Sequence, residues 1–288
     1  MPLRKVLVPV DFSDRCKGAA RFAEALHGIF GSQITLLHVL PPMHYEFSAM
    51  EVAGSLLEEE YHFRSEQAGR NLTAFLADEL PEPTAERILR EGDPARTIVA
   101  LAHENSVGLI VMPTHGYGPF RRFILGSVTA KVLHDADCPV CTGIHMETPP
   151  ATPFRFRQVT AALDLGPQSE RTLMWASRFA KDTGAKLALV HATVSLEGTA
   201  GEFFDPQWRH QVEIAVREEI AELQKRLDTD APVYVESGET ARTVCNIAAD
   251  LDTDLLVIGR GSAAGVFGRL RANAYSIIRQ SRCPVVSV

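Results

Sequence analysis

Four short stretches of this chain return in the same order half a chain later. Asp11 returns as Asp164, and Leu36-Leu37-His38-Val39 returns as Leu189-Val190-His191-Ala192, both at a spacing of 153. Gly92-Asp-Pro-Ala-Arg-Thr-Ile98 returns as Gly238-Glu-Thr-Ala-Arg-Thr-Val244 at 146, and Cys138-Pro139-Val140 as Cys283-Pro284-Val285 at 145. Spacings that drift by only a few residues while the order holds mean two copies of one fold. The 288 residues suit two domains of ordinary size. The first is read as residues 1–146 and the second as 155–288. Between them Glu147–Phe154, with three prolines, is read as an extended, semi-rigid linker.

Within a copy, apolar runs alternate with helical patterns. Lys5–Val10 is a short apolar run ending at Asp11-Phe12-Ser13-Asp14, where Ser13 or Asp14 can cap a helix. That helix carries Ala19, Phe22, Ala23 and Leu26 on one stripe and closes at Gly28 or Gly31. Ile34–Leu40 is a second buried strand stopped by Pro41-Pro42, followed by a long Glu-rich helix over about Val52–Leu80. Thr84–Leu89 reads as a strand, and Asp93-Pro94 opens the next helix with a cap and a proline in its first turn. Leu109 and Cys138 begin the last two strands. Strands alternating with helices predict an α/β fold, a parallel, doubly wound sheet in each copy.

The stretch richest in chemistry is Leu109 to Val140. Leu109–Met112 is an unbroken apolar run, as expected of a strand buried on both faces. Pro113-Thr-His-Gly-Tyr-Gly-Pro119 then breaks the strand. Gly126-Ser127 precedes a helical pattern containing Val128, Val132 and Leu133. A glycine beyond a strand's carboxyl end lets a ligand approach the backbone, because no Cβ stands in the way. The free N–H groups of a starting helix favour an anion. Gly116 and Gly126-Ser127 therefore read either as two sides of a phosphate cradle or as ordinary turn and cap glycines.

Charge and cysteine content narrow the classes. Residues 1–147 hold 13 Lys/Arg against 19 Asp/Glu, and the net charge of the whole is −7, without a basic run. That argues against nucleic acid as a partner. No apolar run reaches 18 residues, so neither a membrane span nor a signal peptide is expected. Five cysteines suit a reducing cytoplasm better than a disulfide framework.

These residues resemble a tandem universal stress protein. The family's nucleotide loop reads Gly, two residues, Gly, nine residues, Gly, then Ser or Thr. Gly116, nine residues, Gly126 and Ser127 reproduce its last three marks, and Cys-Pro-Val beginning the last strand is also typical. The first glycine of the loop falls on Pro113, which fixes φ and removes an N–H. The resemblance implies a five-stranded parallel sheet per copy and a cytoplasmic, stress-related role. It also implies an adenine nucleotide, ATP, held in the first copy, with Mg2+ carried in on the phosphates. Pro9, Val10 and Asp11 resemble the adenine and ribose edge, with Val39 at the base and Met112 and Pro113 lining the cleft. His115, Gly116, Gly126, Ser127 and Val128 resemble the phosphate-contacting set. Single-domain relatives pair through their last strands, so Pro139–Ile144 and Pro284–Val288 are expected to pair within this chain. Association of two chains as a homodimer is left open.

Plainer readings stand beside these. Asp11 could simply be a helix cap, and His115 could be a surface loop residue. His38 and His191 recur inside apolar strands and read as satisfied core histidines. Cys138 and Cys141 lie three apart on a predicted strand, pointing to opposite faces, which opposes a zinc or redox pair. In the second copy, counting back from Cys283 sets Gly261 on Gly116 and Arg271-Ala272 on Gly126-Ser127. A guanidinium there opposes the family's phosphate pose, so that copy is expected to be empty or altered. The resulting expectation is a regulatory nucleotide-binding module. The alternatives are a slow ATPase and an interaction protein with a degenerate cleft.

Overall fold

The computed structural model describes residues 3–42, 53–114, 125–143, 155–194, 206–260 and 272–288. The first copy runs β1 (Lys5–Pro9), α1 (Asp14–Phe30), β2 (Gln33–Leu40), α2 (Ala53–Ala74), β3 (Ala85–Glu91), α3 (Pro94–Glu104), β4 (Leu109–Val111), α4 (Ser127–Asp135) and β5 (Val140–Thr142). The second repeats it as β6 (Gln158–Ala162), α5 (Ser169–Thr183), β7 (Lys186–Val194), α6 (Pro206–Arg226), β8 (Val233–Gly238), α7 (Thr240–Asp250), β9 (Leu255–Ile258), α8 (Ala272–Gln280) and β10 (Val285–Ser287). The expected α/β alternation is present in both copies. The linker 147–154 lies outside the described residues.

All ten strands form one sheet in the order β3-β2-β1-β4-β5-β10-β9-β6-β7-β8. Neighbours within each copy are parallel, and the copies meet antiparallel through β5 and β10. The register is Val285↔Thr142, Val286↔Cys141 and Ser287↔Val140, so the Cys141–Val286 pair sits on a pseudo-twofold axis. This is the strand pairing expected for Pro139–Ile144 and Pro284–Val288, over Val140–Thr142 and Val285–Ser287; Ile144 lies outside the described residues. Two apolar layers sandwich the sheet. One contains α1 and α5 residues with Val8, Val111, Cys141 and Val286, the other α3, α4, α7 and α8 residues with Leu7, Ile110, Val140 and Val285. The alternation of each strand between the layers follows from the two-residue pleat.

Local signals place most element ends. Asp93 accepts the Arg96 N–H at 3.0 Å and caps α3, and Gly31 ends α1 at φ 65°. The long second helix is shorter than its pattern predicts, stopping at Ala74 and not near Leu80. The guanidinium of Arg87 on β3 takes the carbonyls of Leu72, Phe75 and Leu80, and Leu76 turns to φ 48°. A cation satisfying the orphan carbonyls of a helix end competes with continuing the helix.

Strand pairing also fixes how the copies correspond. Val6 faces Leu109 and its repeat partner Val159 faces Leu255, so β4 and β9 correspond at 146 residues. β5 and β10, like α4 and α8, correspond at 145. Gly259 therefore stands at the place of Pro113 and Arg260 at the place of Thr114. Counting back from Cys283 is off by one here, because the one-residue difference falls after Arg260.

If the β5–β10 seam holds the halves together, Val286→Asp, placing a carboxylate opposite buried Cys141, should destabilise the chain by about 3 kcal/mol or more. Urea unfolding followed by circular dichroism measures this; an unchanged midpoint would show the seam to be dispensable.

Candidate functional site

In each copy the strand order reverses between the first and fourth strands, β1 and β4 or β6 and β9. At such a switch point the connections leave in opposite directions and open a crevice beyond the strands' carboxyl ends. In the first copy Pro9, Val10 and Asp11 stand on one wall and Met112 and Pro113 on the other. Gly126, Ser127 and Val128 begin the helix that follows β4. His115 and Gly116 lie outside the described residues.

The β1 wall is a rigid turn. Asp11 Oδ1 accepts the Ser13 N–H at 3.0 Å and the Cys16 thiol at 2.9 Å. Phe12 takes φ 64° and stacks on His38 with ring centroids 4.3 Å apart. The second copy repeats the device: Asp164 Oδ1 accepts from Gly166 N at 3.0 Å and Ser169 Oγ at 3.1 Å, with Leu165 at φ 54°. The carboxylate thus forms a turn ahead of the helix in both copies; the cap residue of α1 is Ser13, so Asp11 is not the helix cap of its plainer reading. His38 Nδ1 lies 2.7 Å from the Val10 carbonyl, and His191 Nδ1 lies 2.8 Å from that of Leu163. A carbonyl can only accept, so these rings are core histidines protonated at Nδ1. Val10 also donates its N–H to Leu37 at 2.8 Å, so its main chain is spent within the fold. Val10, Val39 and Met112 are 4%, 8% and 5% exposed, and offer a ligand little beyond an apolar edge.

The opposite wall is tied to α4. Gly126 N donates to the Thr114 carbonyl at 2.8 Å, and Thr129 Oγ1 donates to the Pro113 carbonyl at 3.0 Å. Thr114 and Thr129 were not singled out from the sequence; their signal was a hydroxyl at a position the pattern makes buried. Ile110 and Met112 send their N–H groups to β5, so the N–H that Pro113 lacks would have pointed toward β1. In the second copy Gly259 keeps that position, and a Cβ on it would lie 3.2 Å from Thr172 Oγ1 on α5. The α1 residue corresponding to Thr172 is Ala19, so bulk sits on the strand in one copy and on the helix in the other.

The start of α4 differs from those of α1, α3, α5 and α7. Gly126 takes φ −60° and ψ 145°, which any residue adopts, so the position does not need glycine for its backbone. The α3 and α7 starts are capped by Asp93 and Glu239, and the α1 and α5 first turns carry Asp14 and Glu170. α4 has neither a side-chain cap nor an acid in its first turn. Its orphan N–H groups and positive dipole end are left unbalanced beside Ser127, which is exposed. Among the described residues no group of His, Cys, Asp and Glu could hold a metal ion, and all five cysteines are free thiols. Burial first, then the Asp11 carboxylate, pushes the Cys16 thiol up to about 12, so it is no nucleophile at neutral pH.

Comparison with known proteins follows the same division of the chain. A family model described as the universal stress protein family matches residues 2–142 and again 155–288. A universal stress protein of Mycolicibacterium smegmatis is 26% identical over 289 aligned residues, 98% of this chain and 96% of its own. One from Thermus aquaticus is 29% identical over 137 residues, covering 48% of this chain and 96% of its own. The crystal structure of a universal stress protein from Archaeoglobus fulgidus superposes with a TM-score of 0.65 at 21% identity, covering 98% of this chain and 95% of that one. No helix among the described residues is long and apolar enough to cross a membrane.

Burial also raises Cys245 to about 12 and Cys283 to about 11, from 9.0 for a free thiol. These groups are protonated in both states at pH 7. Above about pH 9 the unfolded thiols ionise while the folded ones do not, so stability should fall as pH rises toward 11. Denaturation midpoints across that range test the sign. At pH 8 a disulfide reagent should label half-buried Cys138 first and leave Cys16 untouched until the chain unfolds.

Proposed function

The chain belongs to the universal stress protein family, and on that premise we propose that its amino-terminal copy binds one adenine nucleotide, ATP, as a regulatory module. The observation that carries this reading is the α4 start. Among the helices whose cap residue is described, α1, α3, α4, α5 and α7, it alone begins with neither a side-chain cap nor an acid in its first turn, and it opens on a glycine whose φ does not require one. Both features fit a triphosphate resting against naked backbone. Gly126, Ser127 and Val128 would take phosphate oxygens, with His115 and Gly116 across the loop. Asp11 and Pro9 would edge the ribose, and Val10, Val39, Met112 and Pro113 would flank the base by apolar contact. Mg2+ would be held largely by the phosphates themselves. This reading is of binding with at most slow hydrolysis, since Asp11 Oδ1 is already engaged by Ser13 and Cys16. A cytoplasmic setting accords with the five free thiols.

The full chain in equilibrium dialysis with Mg·ATP should take up one nucleotide. Gly126→Ala should weaken binding by about tenfold while lowering stability by no more than about 1 kcal/mol, and Gly126→Arg should abolish saturable uptake. Equal binding by wild type and Gly126→Arg, or two nucleotides per chain, would overturn the assignment.

A further inference from the structure

Helix α4 is held at its far end by the other copy. Because β5 and β10 are antiparallel, the carboxyl edge of the second copy's sheet meets the amino edge of the first. Arg260, two residues beyond β9, stands there and is only 3% exposed. Its Nη1 donates to the Ala136 carbonyl at 2.8 Å and to that of Leu133 at 3.4 Å, and Nη2 donates to Cys138 at 2.7 Å. These are acceptors of the last turn of α4 and of the chain leaving it, which the helix itself cannot satisfy. The corresponding end of α8 is met in part from within its own copy. Ser281, the counterpart of Ala136, accepts from Cys283 N at 3.2 Å and donates to the Cys283 carbonyl at 2.8 Å. The hydroxyl thus meets from within its own copy one of the three corresponding carbonyls, that of Cys283, whereas the first copy borrows a guanidinium from the second for all three.

We propose that Arg260 is a positioning residue for the first copy's nucleotide site, and that the second copy serves as a support for that site. This rests on the reading of Gly126–Ser127–Val128 as the phosphate cradle. A nine-residue helix is a rod about 13 Å long, so fixing its carboxyl end fixes where its amino end stands. A planar fork bonded to three carbonyls sets rotation as well as position. A cation at the carboxyl end and an anion at the amino end are both aligned with the helix dipole. Burying a guanidinium is costly unless its donors are met, so the arginine holds α4 in one place.

The test uses the full chain, Arg260→Met and Arg260→Lys. A substitution at buried Ile278 on α8, chosen between valine and alanine to match the midpoint loss of Arg260→Met, serves as the control. Calorimetry with Mg·ATP well below the midpoint should show Arg260→Met weakened about tenfold, lysine between, and the matched control within about twofold of wild type. Amide exchange of 127–136 without nucleotide should quicken in Arg260→Met and not in the control. Wild-type affinity in Arg260→Met, or a loss no larger than in the control, would overturn the proposal. If wild type takes up no ATP, the nucleotide reading has failed. Exchange alone then decides: quickened α4 amides still support Arg260 as the residue that places α4, and unchanged ones refute it.

Discussion

The architecture depends on how two short strands dispose of their edges. β5 and β10 are three residues each and entirely buried, and a parallel five-stranded sheet would leave each with one unpaired side. An exposed apolar edge invites pairing with whatever strand is near. Here each edge meets the other, with Cys141 opposite Val286 on the axis. Because that junction is antiparallel, the two sheets point in opposite directions. The crevice of one copy then lies on the same edge as the helix carboxyl ends of the other. The reach of Arg260 onto α4 is a consequence of this geometry and needs no further adaptation of the fold.

Duplication under this constraint leaves two copies that solve the same local problems differently. The turn after the first strand is kept almost atom for atom: Asp11 with Ser13 and Cys16, Asp164 with Gly166 and Ser169. The crevice itself is not kept. Pro113 and Ala19 in one copy correspond to Gly259 and Thr172 in the other, a conserved volume shifted from strand to helix. Thr114 corresponds to Arg260, and Ala136 to Ser281, so the Cys138 carbonyl of one copy is met across the seam and the Cys283 carbonyl of the other by its own hydroxyl. Divergence falls on the wall that follows the fourth strand and at the far end of the next helix, and the turn after the first strand is preserved.

Much of this was legible in the chain alone because it depends on local chemistry. Repeat spacing gave two copies, apolar alternation gave the parallel sheets, and Asp93-Pro94 gave a capped helix start. What failed depends on distant partners. Phe75 and Leu76 continue an apolar helical pattern, and only Arg87, from the next strand, explains why the helix stops. Arg260 carries no motif; it reads as one more charge in a glycine-rich loop. Counting back from Cys283 holds at α8 but not at Gly259 and Arg260, since a deletion inside a loop is invisible until strand register fixes both ends. The turn role of Asp11 had a signal in the shared spacing of Asp11–Cys16 and Asp164–Ser169, but a thiol and a hydroxyl do not look alike in a sequence.

The start of α4 illustrates why an omission can be informative. Capping a helix with Ser, Thr, Asp or Asn is worth about 1 kcal/mol, and an acid in the first turn adds a few tenths. The chain uses one or the other at α1, α3, α5 and α7. It uses neither at α4, although Gly126 has a backbone conformation that would accept any capping residue. A fold selected for stability alone would place an aspartate there, as at residue 93. An aspartate would also put a negative charge and a side chain where the phosphates of the proposed nucleotide approach. The forfeited stability is offset by the two hydrogen bonds that tie β4 to α4 and by the arginine at the helix's other end. The supports lie at both ends of α4 and leave its first turn uncapped, which is the arrangement the proposed anion site requires.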